Sequence, residues 1–297
     1  VVSHAGLGLL RMLSDRTGLT GGLSRVLASD RLLRHDRGRV LSDLACAIAD
    51  GAQVISDFRV MGDQRELFGP VAAVPTVWRT LDEIGAGGER TARRVTAAVN
   101  KARRQAWARI EARHGVLPGV RVADKILQGV TCIRLDATVI QAHSDKEGAE
   151  PNFKGFGHHP LLSFCDNTGE PLGGMLREGS AGSNTADDHV KALDAAIEAL
   201  PPKHRRRLMV TVDGAGASYD LVKHLDKLAS RPGYQGDLVG RLGARRAGAE
   251  RHCPGPGAGL AAGRRRAGRA AGAAVGRGLR QPGMRPPPVL DRGSAGH

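Results

Sequence analysis

Two apolar, β-branched runs in this chain each end on an aspartate: Ile133-Arg134-Leu135-Asp136 and Val210-Thr211-Val212-Asp213. What lies between them limits the sheet they can build. Val130 to Gln141 alternates, with Val130, Cys132 and Arg134 on one face and Ile133 and Leu135 on the other, which predicts a strand. His159 to Cys165 and Leu172 to Arg177 read as two more strands, joined by a hairpin turn at Asp166-Asn167-Thr168-Gly169. A helix follows, with Ser183 or Asn184 as N-cap, Asp187 and Asp188 in its first turn, and Val190, Leu193, Ala196, Ile197 and Leu200 as its buried stripe. Pro201-Pro202 stops it, Leu208 to Val212 forms a short strand, and Tyr219 to Leu228 forms a last helix. The order is therefore a three-stranded antiparallel meander, a crossover helix and a strand parallel to an existing one. If that strand lies beside the first, Asp136 and Asp213 become neighbours at the carboxyl ends of parallel strands, where ligands of open mixed sheets collect.

The upstream part reads as all-helical. Leu7, Leu10, Leu13, Leu19, Leu23, Val26 and Leu27 recur near helical spacing around a break at Thr17-Gly18. Asp15 to Leu19 fits the turn of a helix-turn-helix, and equally two packed helices that touch no DNA. Val40 to Ile48 and Ser56 to Arg65 are further helical pieces, Pro70 and Pro75 mark a loop, and Thr76 opens the next helix. Glu89 to His114 is the clearest helix, with Val95, Val99, Ala102, Ala106 and Ile110 as its apolar stripe. Arg90, Arg93, Arg94, Lys101, Arg103, Arg104, Arg109 and Arg113 crowd its other faces against Glu89 and Glu111. That excess suits a solvated face or a phosphate-contacting one.

The formal charge of +14 is unevenly spread. Residues 240–297 hold 12 Arg, no Lys, 14 Gly, 12 Ala and 6 Pro, with Glu250 and Asp291 as the acids, which leaves +4 for the rest. Without an aromatic residue or an isoleucine, this tail cannot bury enough apolar area to offset the entropy of ordering it, so disorder is expected. Such a composition fits a basic arm for nucleic acid, and better the product of reading a high-GC gene out of frame from about residues 231–245 onward. The Val1-Val2 start suits an alternative start codon or a fragment. No run approaches the ~18 apolar residues of a membrane span, and no signal peptide opens the chain. A soluble cytoplasmic protein is expected, with no membrane partner. Cys46, Cys132, Cys165 and Cys253 are widely separated, which argues for reduced buried thiols over a disulfide framework or a zinc site.

Two carboxylates a few ångströms apart repel, and a divalent metal relieves them. Oxygen ligands suit Mg²⁺ or Mn²⁺, which bind through a few carboxylates and substrate phosphates and support in-line phosphoryl displacement. Against this stands the simpler reading that each aspartate caps a strand end. Other polar motifs have similarly plain alternatives. His158 and His159 beside Pro160 suit a strand start rather than zinc ligation. Asp145-Lys146-Glu147 suits a solvated loop, though Lys146 follows Asp136 closely enough to approach DNA. Lys203 to Arg207 is a basic turn that serves solubility or touches phosphate. Asp213-Gly214-Ala215-Gly216 lacks the third glycine of a dinucleotide site.

A set of longer motifs carries a family resemblance. Asp136-Ala137-Thr138, Ala142-His143-Ser144-Asp145-Lys146-Glu147-Gly148-Ala149, Phe153-Lys154-Gly155-Phe156-Gly157-His158-His159-Pro160 and Asp166-Asn167-Thr168-Gly169-Glu170 resemble bacterial insertion-sequence transposases of the DDE class. So do Met175-Leu176-Arg177, Ala181-Gly182-Ser183-Asn184-Thr185-Ala186 and, upstream, Ile48-Ala49-Asp50-Gly51-Ala52 and Leu67-Phe68-Gly69-Pro70-Val71. The group most resembled is insertion sequence 1380, over residues 3–235.

The resemblance implies an α/β chain: a helical DNA-binding region over residues 1–120, a partial RNase H-like catalytic domain over 125–239 and the tail over 240–297. It implies cleavage and joining of transposon-end DNA with two divalent metals, Mg²⁺ or Mn²⁺, by a nucleoid-associated protein acting on terminal inverted repeats of double-stranded DNA as a homodimer. Asp136 and Asp213 match the first and second acids of the family's triad, as catalytic residues and metal ligands. Arg93, Arg94, Lys101, Arg103, Arg104 and Lys146 are the DNA contacts this predicts. The third acid, a glutamate on a later helix, has no match after Asp213, since Glu250 lies in the tail. The expectation is a transposase incomplete as encoded; the alternatives are a non-catalytic remnant that occupies transposon ends and an RNA-binding protein whose affinity resides in the tail.

Overall fold

The computed structural model describes residues 4–122, 124–142, 146–182, 185–213 and 218–232. The expected tail over 240–297, the N-cap at Ser183 or Asn184, and Gly214 to Gly216 lie outside the described residues, and Thr185 stands at the N-cap position instead.

The helical region opens with α1 (Ala5–Arg16) and α2 (Leu19–Val26), broken at Thr17-Gly18 as the spacing predicts. Gly18 adopts φ 74°, a left-handed conformation that glycine takes without steric cost. Helix α3 (Arg37–Ala49) starts at Asp36, whose carboxylate accepts the Arg39 N–H at 2.7 Å. A Cβ on Gly38 would collide with the Ser24 backbone, so glycine is what lets α2 and α3 approach there. The expected single helix over Ser56 to Arg65 is split into a 3₁₀ turn (Ile55–Phe58), α4 (Arg59–Asp63) and α5 (Arg65–Phe68). Pro75, expected in a loop, sits in the first turn of α6 (Val74–Ala86), where its missing N–H costs nothing.

Leu7, Val40, Leu44, Phe58, Met61, Phe68 and Val77 form the core of this region. Into it runs a buried ion pair: Arg11 Nε lies 2.9 Å from Asp43 Oδ1, Nη2 donates to Oδ2 at 3.3 Å, and Nη1 donates to the Phe68 carbonyl. Burial pushes the Asp43 carboxyl up and the Arg11 guanidinium down from their ordinary values, each opposed by the partner's charge. Ser14, Thr20 and Ser42 hydroxyls close a hydrogen-bonded triangle of 2.6–3.0 Å between the first three helices.

Helix α7 (Gly88–His114) leads to the sheets. Its buried positions are Ala98, Asn100, Ala102, Arg103 and Trp107, while Val99, expected in the stripe, is 36% exposed. The stripe is rotated because Trp107 and Arg103 carry the contacts with the sheet.

A hairpin of β1 (Val120–Val122) and β2 (Lys125–Leu127) precedes the main sheet. That sheet is mixed, in the order β8-β7-β3-β9, built from β3 (Thr131–Ala137), β7 (Leu161–Cys165), β8 (Glu170–Met175) and β9 (Leu208–Val212). Strands β3, β7 and β8 make the antiparallel meander, and β9 returns parallel to β3 after α8 (Ala186–Ala199). Helix α9 (Tyr219–Ala229) ends the described chain, its N-cap Ser218 accepting from the Leu221 N–H at 3.2 Å.

Ile133, Leu135, Leu161, Leu208 and Val210 face Leu193, Ala196, Ile197, Leu221 and Leu225 of the two helices in one core. The opposite face carries Cys132 and Met209 under Val120 of the first hairpin. Beyond the meander, a region expected to be a polar loop forms a second small sheet, β4-β6-β5, from β4 (Ile140–Gln141), β5 (Glu150–Asn152) and β6 (Gly155–His158). No described helix is long and apolar enough to cross a membrane.

Candidate functional site

In the parallel β3/β9 register, Arg134 pairs with Thr211 and Leu135 with Val212. Continued by one residue, it sets Asp136 abreast of Asp213, the first residue past β9. Asp136 alternates off the helix-packed face that holds Leu135 and Val210, and Asp213 directly follows β9 at the carboxyl end of the adjacent parallel strand. Strand β3 is apolar enough to be buried up to Leu135, and Asp136 emerges with its side chain 48% exposed.

Arg134 organises this face. Its Nη1 donates to Asp136 Oδ2 at 2.9 Å, its Nε donates to Asp166 Oδ1 at 3.0 Å, and its guanidinium carbon lies 4.7 Å from the centroid of the Phe164 ring. Phe164 is opposite Arg134 in the β3/β7 register, so the ring is a platform for the cation. Beside it, Cys132 is buried, its N–H held by Asn167 Oδ1 at 2.8 Å. Its thiol is pushed up to about 12 by burial first and by Asp166 second. Cys46 and Cys165 are buried free thiols, also raised by burial.

Two carboxylates at neighbouring strand ends form part of an oxygen donor set for a divalent cation, the remaining positions being suited to water or phosphate oxygens. That chemistry fits Mg²⁺ or Mn²⁺. Among the described residues no group of three or more His, Cys, Asp or Glu side chains forms a ready-made metal cage. His158 and His159 are buried on backbone carbonyls, with Nε2 of His158 at 3.0 Å from Glu147 O and Nδ1 of His159 at 2.7 Å from Ala181 O.

The basic helix separates into two kinds of residue. Arg90, Arg93, Arg94, Lys101 and Arg104 are exposed and share one face of α7, opposite Ala102 and Arg103, over about 21 Å of helix. Glu89 pairs with Arg93 at one end of this face. Arg103, read with them as a DNA contact, is placed differently. It is 8% exposed, and its guanidinium donates to Glu170 Oε2 at 3.0 Å, to the Pro171 carbonyl at 2.8 Å and to Asn100.

Trp107 Nε1 donates to the other oxygen of the same Glu170, and the Thr168 hydroxyl to that oxygen as well. Arg103 thus ties α7 to the β7–β8 hairpin. Lys146 is exposed. In the basic turn, Lys203 and His204 meet Glu111, and His204 stacks edge-on to Trp107 with centroids 5.0 Å apart.

A family model described as transposase DDE domain, group 1, matches residues 1–231. No curated protein and no solved structure matches the chain.

Proposed function

The chain belongs to the DDE-domain transposases, and from that premise we propose that it cleaves and joins transposon-end DNA by metal-dependent phosphoryl transfer, with Asp136 and Asp213 as two of the three acids. The observation that supports this reading is the β3/β9 register, which pairs Leu135 with Val212, each followed by an aspartate, in a meander-helix-parallel strand sheet. That strand order supports an RNase H-like catalytic domain over 125–239 behind a helical DNA-binding region over 1–120.

Asp136 and Asp213 would hold Mg²⁺ or Mn²⁺. When bound, such an ion supplies charge stabilisation for the oxygens of an in-line phosphoryl displacement. The chain's own residues orient the site. Arg134, braced on Phe164 and Asp166, fixes the Asp136 carboxylate and brings a cation to the place where a phosphodiester would lie. Arg93, Arg94, Lys101 and Arg104, with Lys146, make the phosphate-binding set, and the salt dependence of binding should reflect their number. The DNA is double-stranded and carries the terminal inverted repeats of the element, held by two copies of the chain. The third acid is not matched, so catalysis by this chain alone is weak.

Nicking of supercoiled DNA carrying the element's ends, in Mg²⁺ or Mn²⁺, tests the reading. Cleavage by the full chain that Asp136→Ala abolishes supports it. A second reading, a non-catalytic remnant that occupies transposon ends, rests on the same unmatched acid and on the exposed basic face of α7. Tight, specific binding of the ends with no nicking in either metal would favour the remnant.

A further inference from the structure

The β5–β6 hairpin turns at Phe153-Lys154. Phe153 is 79% exposed, in a chain with only 5 Phe, 2 Trp and 2 Tyr. An aromatic ring left in water at a hairpin tip gives up the hydrophobic gain of burial and offers its π face to a ligand.

This one is held from several sides. Asn152 Oδ1 accepts the Lys154 N–H at 2.9 Å, and Gln141 Nε2 donates to the Lys154 carbonyl at 2.8 Å. Gly157, at φ 155°, lies so close to Ile140 and Gln141 that a side chain there would collide with their backbone, which locks β4 against β6. The Phe153 ring packs edge-on to buried His159, with centroids 6.3 Å apart and planes at 77°.

The charge at the tip is positive. Lys154 Nζ lies 5.7 Å from the Phe153 ring centroid, whereas Glu150 and Glu178 sit at the other end of β6, abreast of Gly157 and His158. An exposed ring beside an ammonium suits a nucleotide: the base stacks on the ring, and the phosphate meets the cation. The tip is also close to the acids. Gln141, whose side chain holds the Lys154 carbonyl, is five residues past Asp136, so Gln141 lies within about 17 Å of Asp136 by chain length, with Lys154 one side chain and one hydrogen bond further. Pro160, next to His159, accepts the Thr138 N–H at 3.1 Å, two residues beyond Asp136.

We propose that Phe153 and Lys154 form a stacking site for an unpaired base of the DNA end lying in the Asp136–Asp213 site. The ring captures a nucleotide that has left the duplex, and Lys154 holds its phosphate. This rests on the DNA-joining function proposed above and specifies where the unpaired base goes.

The test uses the full chain and two DNAs of equal length, one blunt and one ending in unpaired nucleotides that include 2-aminopurine. The site predicts quenching of 2-aminopurine on binding and a preference for the unpaired end. Phe153→Ala should lose the quenching and about tenfold of the affinity for that end, while blunt-duplex affinity stays within about twofold. Phe153→Trp should keep the quenching, and its indole emission should fall on binding the unpaired end. Lys154→Gln should weaken the unpaired end without removing the quenching.

Binding of both DNAs, with the 2-aminopurine of the unpaired end equally quenched by wild type and Phe153→Ala, would overturn the stacking site and leave the DNA-joining function standing. Failure of the full chain to bind either DNA would contradict that function, and the stacking site with it.

Discussion

Arg134 Nη1 donates to Asp136 Oδ2 across 2.9 Å, two residues apart on the exposed face of the same strand. Replacing Arg134 should therefore act on the site more than on the fold. The pair is half-exposed, and such pairs contribute about 1 kcal/mol or less, so Arg134→Gln is expected to melt within a few degrees of wild type. Its loss removes the cation that competes for Asp136, so Mn²⁺ should bind severalfold more tightly by titration calorimetry, while the rate of DNA nicking falls because the phosphodiester loses its positive partner. Equal Mn²⁺ affinity would show that Arg134 does not restrain Asp136.

Arg11 and Asp43 predict the opposite balance. Both are buried in the helical core, so Arg11→Met leaves a carboxylate without its cation and should cost about 3–5 kcal/mol, read as a large fall in the denaturant midpoint. Arg11→Met combined with Asp43→Leu should recover most of it. A double variant no more stable than the single one would contradict the pairing.

The division of α7 into buried and exposed cations is testable in one titration series. Lys101→Gln and Arg104→Gln should each lower the slope of log affinity against log salt by about 1 on duplex DNA. Arg103→Gln should leave that slope unchanged. Glu170→Ala should cost about 3 kcal/mol, because it strands the Arg103 guanidinium and the Trp107 N–H together. A salt slope that falls with Arg103→Gln as with Arg104→Gln would move Arg103 to the DNA-facing set.

His204 gives a pH dependence. Burial against Trp107 pushes its pKa down from the ordinary value, more than Glu111 raises it. The unfolded chain therefore takes up this proton first as pH falls. Stability from the neutral ring is complete above about pH 6.5, the unfolded value, and declines as the pH drops from there through the lower folded pKa. His204→Gln should flatten that part of the stability profile, and a steeper acid loss in the variant would contradict it.

The thiols should be inert. With Cys132 raised to about 12 and Cys46 and Cys165 raised by burial, almost no thiolate is present at pH 8. Mass spectrometry after iodoacetamide treatment of the native chain should find these three unmodified and find them labelled in denaturant. Rapid native labelling of Cys132 would show that its strand opens.

Where the sequence pattern has a long period, it reads well. Alternation through Ile133 and Leu135, the Asp166–Gly169 turn and the stripe of α8 place the meander, the crossover and the parallel return. The shorter elements leave no such signal. Strands β4, β5 and β6 have two to four residues, include Pro151, Gly155 and Gly157, and are defined by pairing partners distant in sequence.

Arg103 was illegible for a different reason. On a helix with eight bases, the one that turns inward is set by Glu170 on a hairpin 67 residues away, and no local pattern encodes that acceptor. The sign that could have found it is Trp107, four residues on, since a tryptophan on the same helix face calls for a buried partner for its N–H.

The shared use of Asp136 and Asp213 is tested most directly by Mn²⁺ affinity in a double-mutant cycle on the full chain. Asp136→Asn and Asp213→Asn should each weaken Mn²⁺ binding by about tenfold or more, and the double variant should be little worse than either single one, because each change dismantles the same site. Wild-type affinity in either single variant would mean that the two aspartates do not hold one ion.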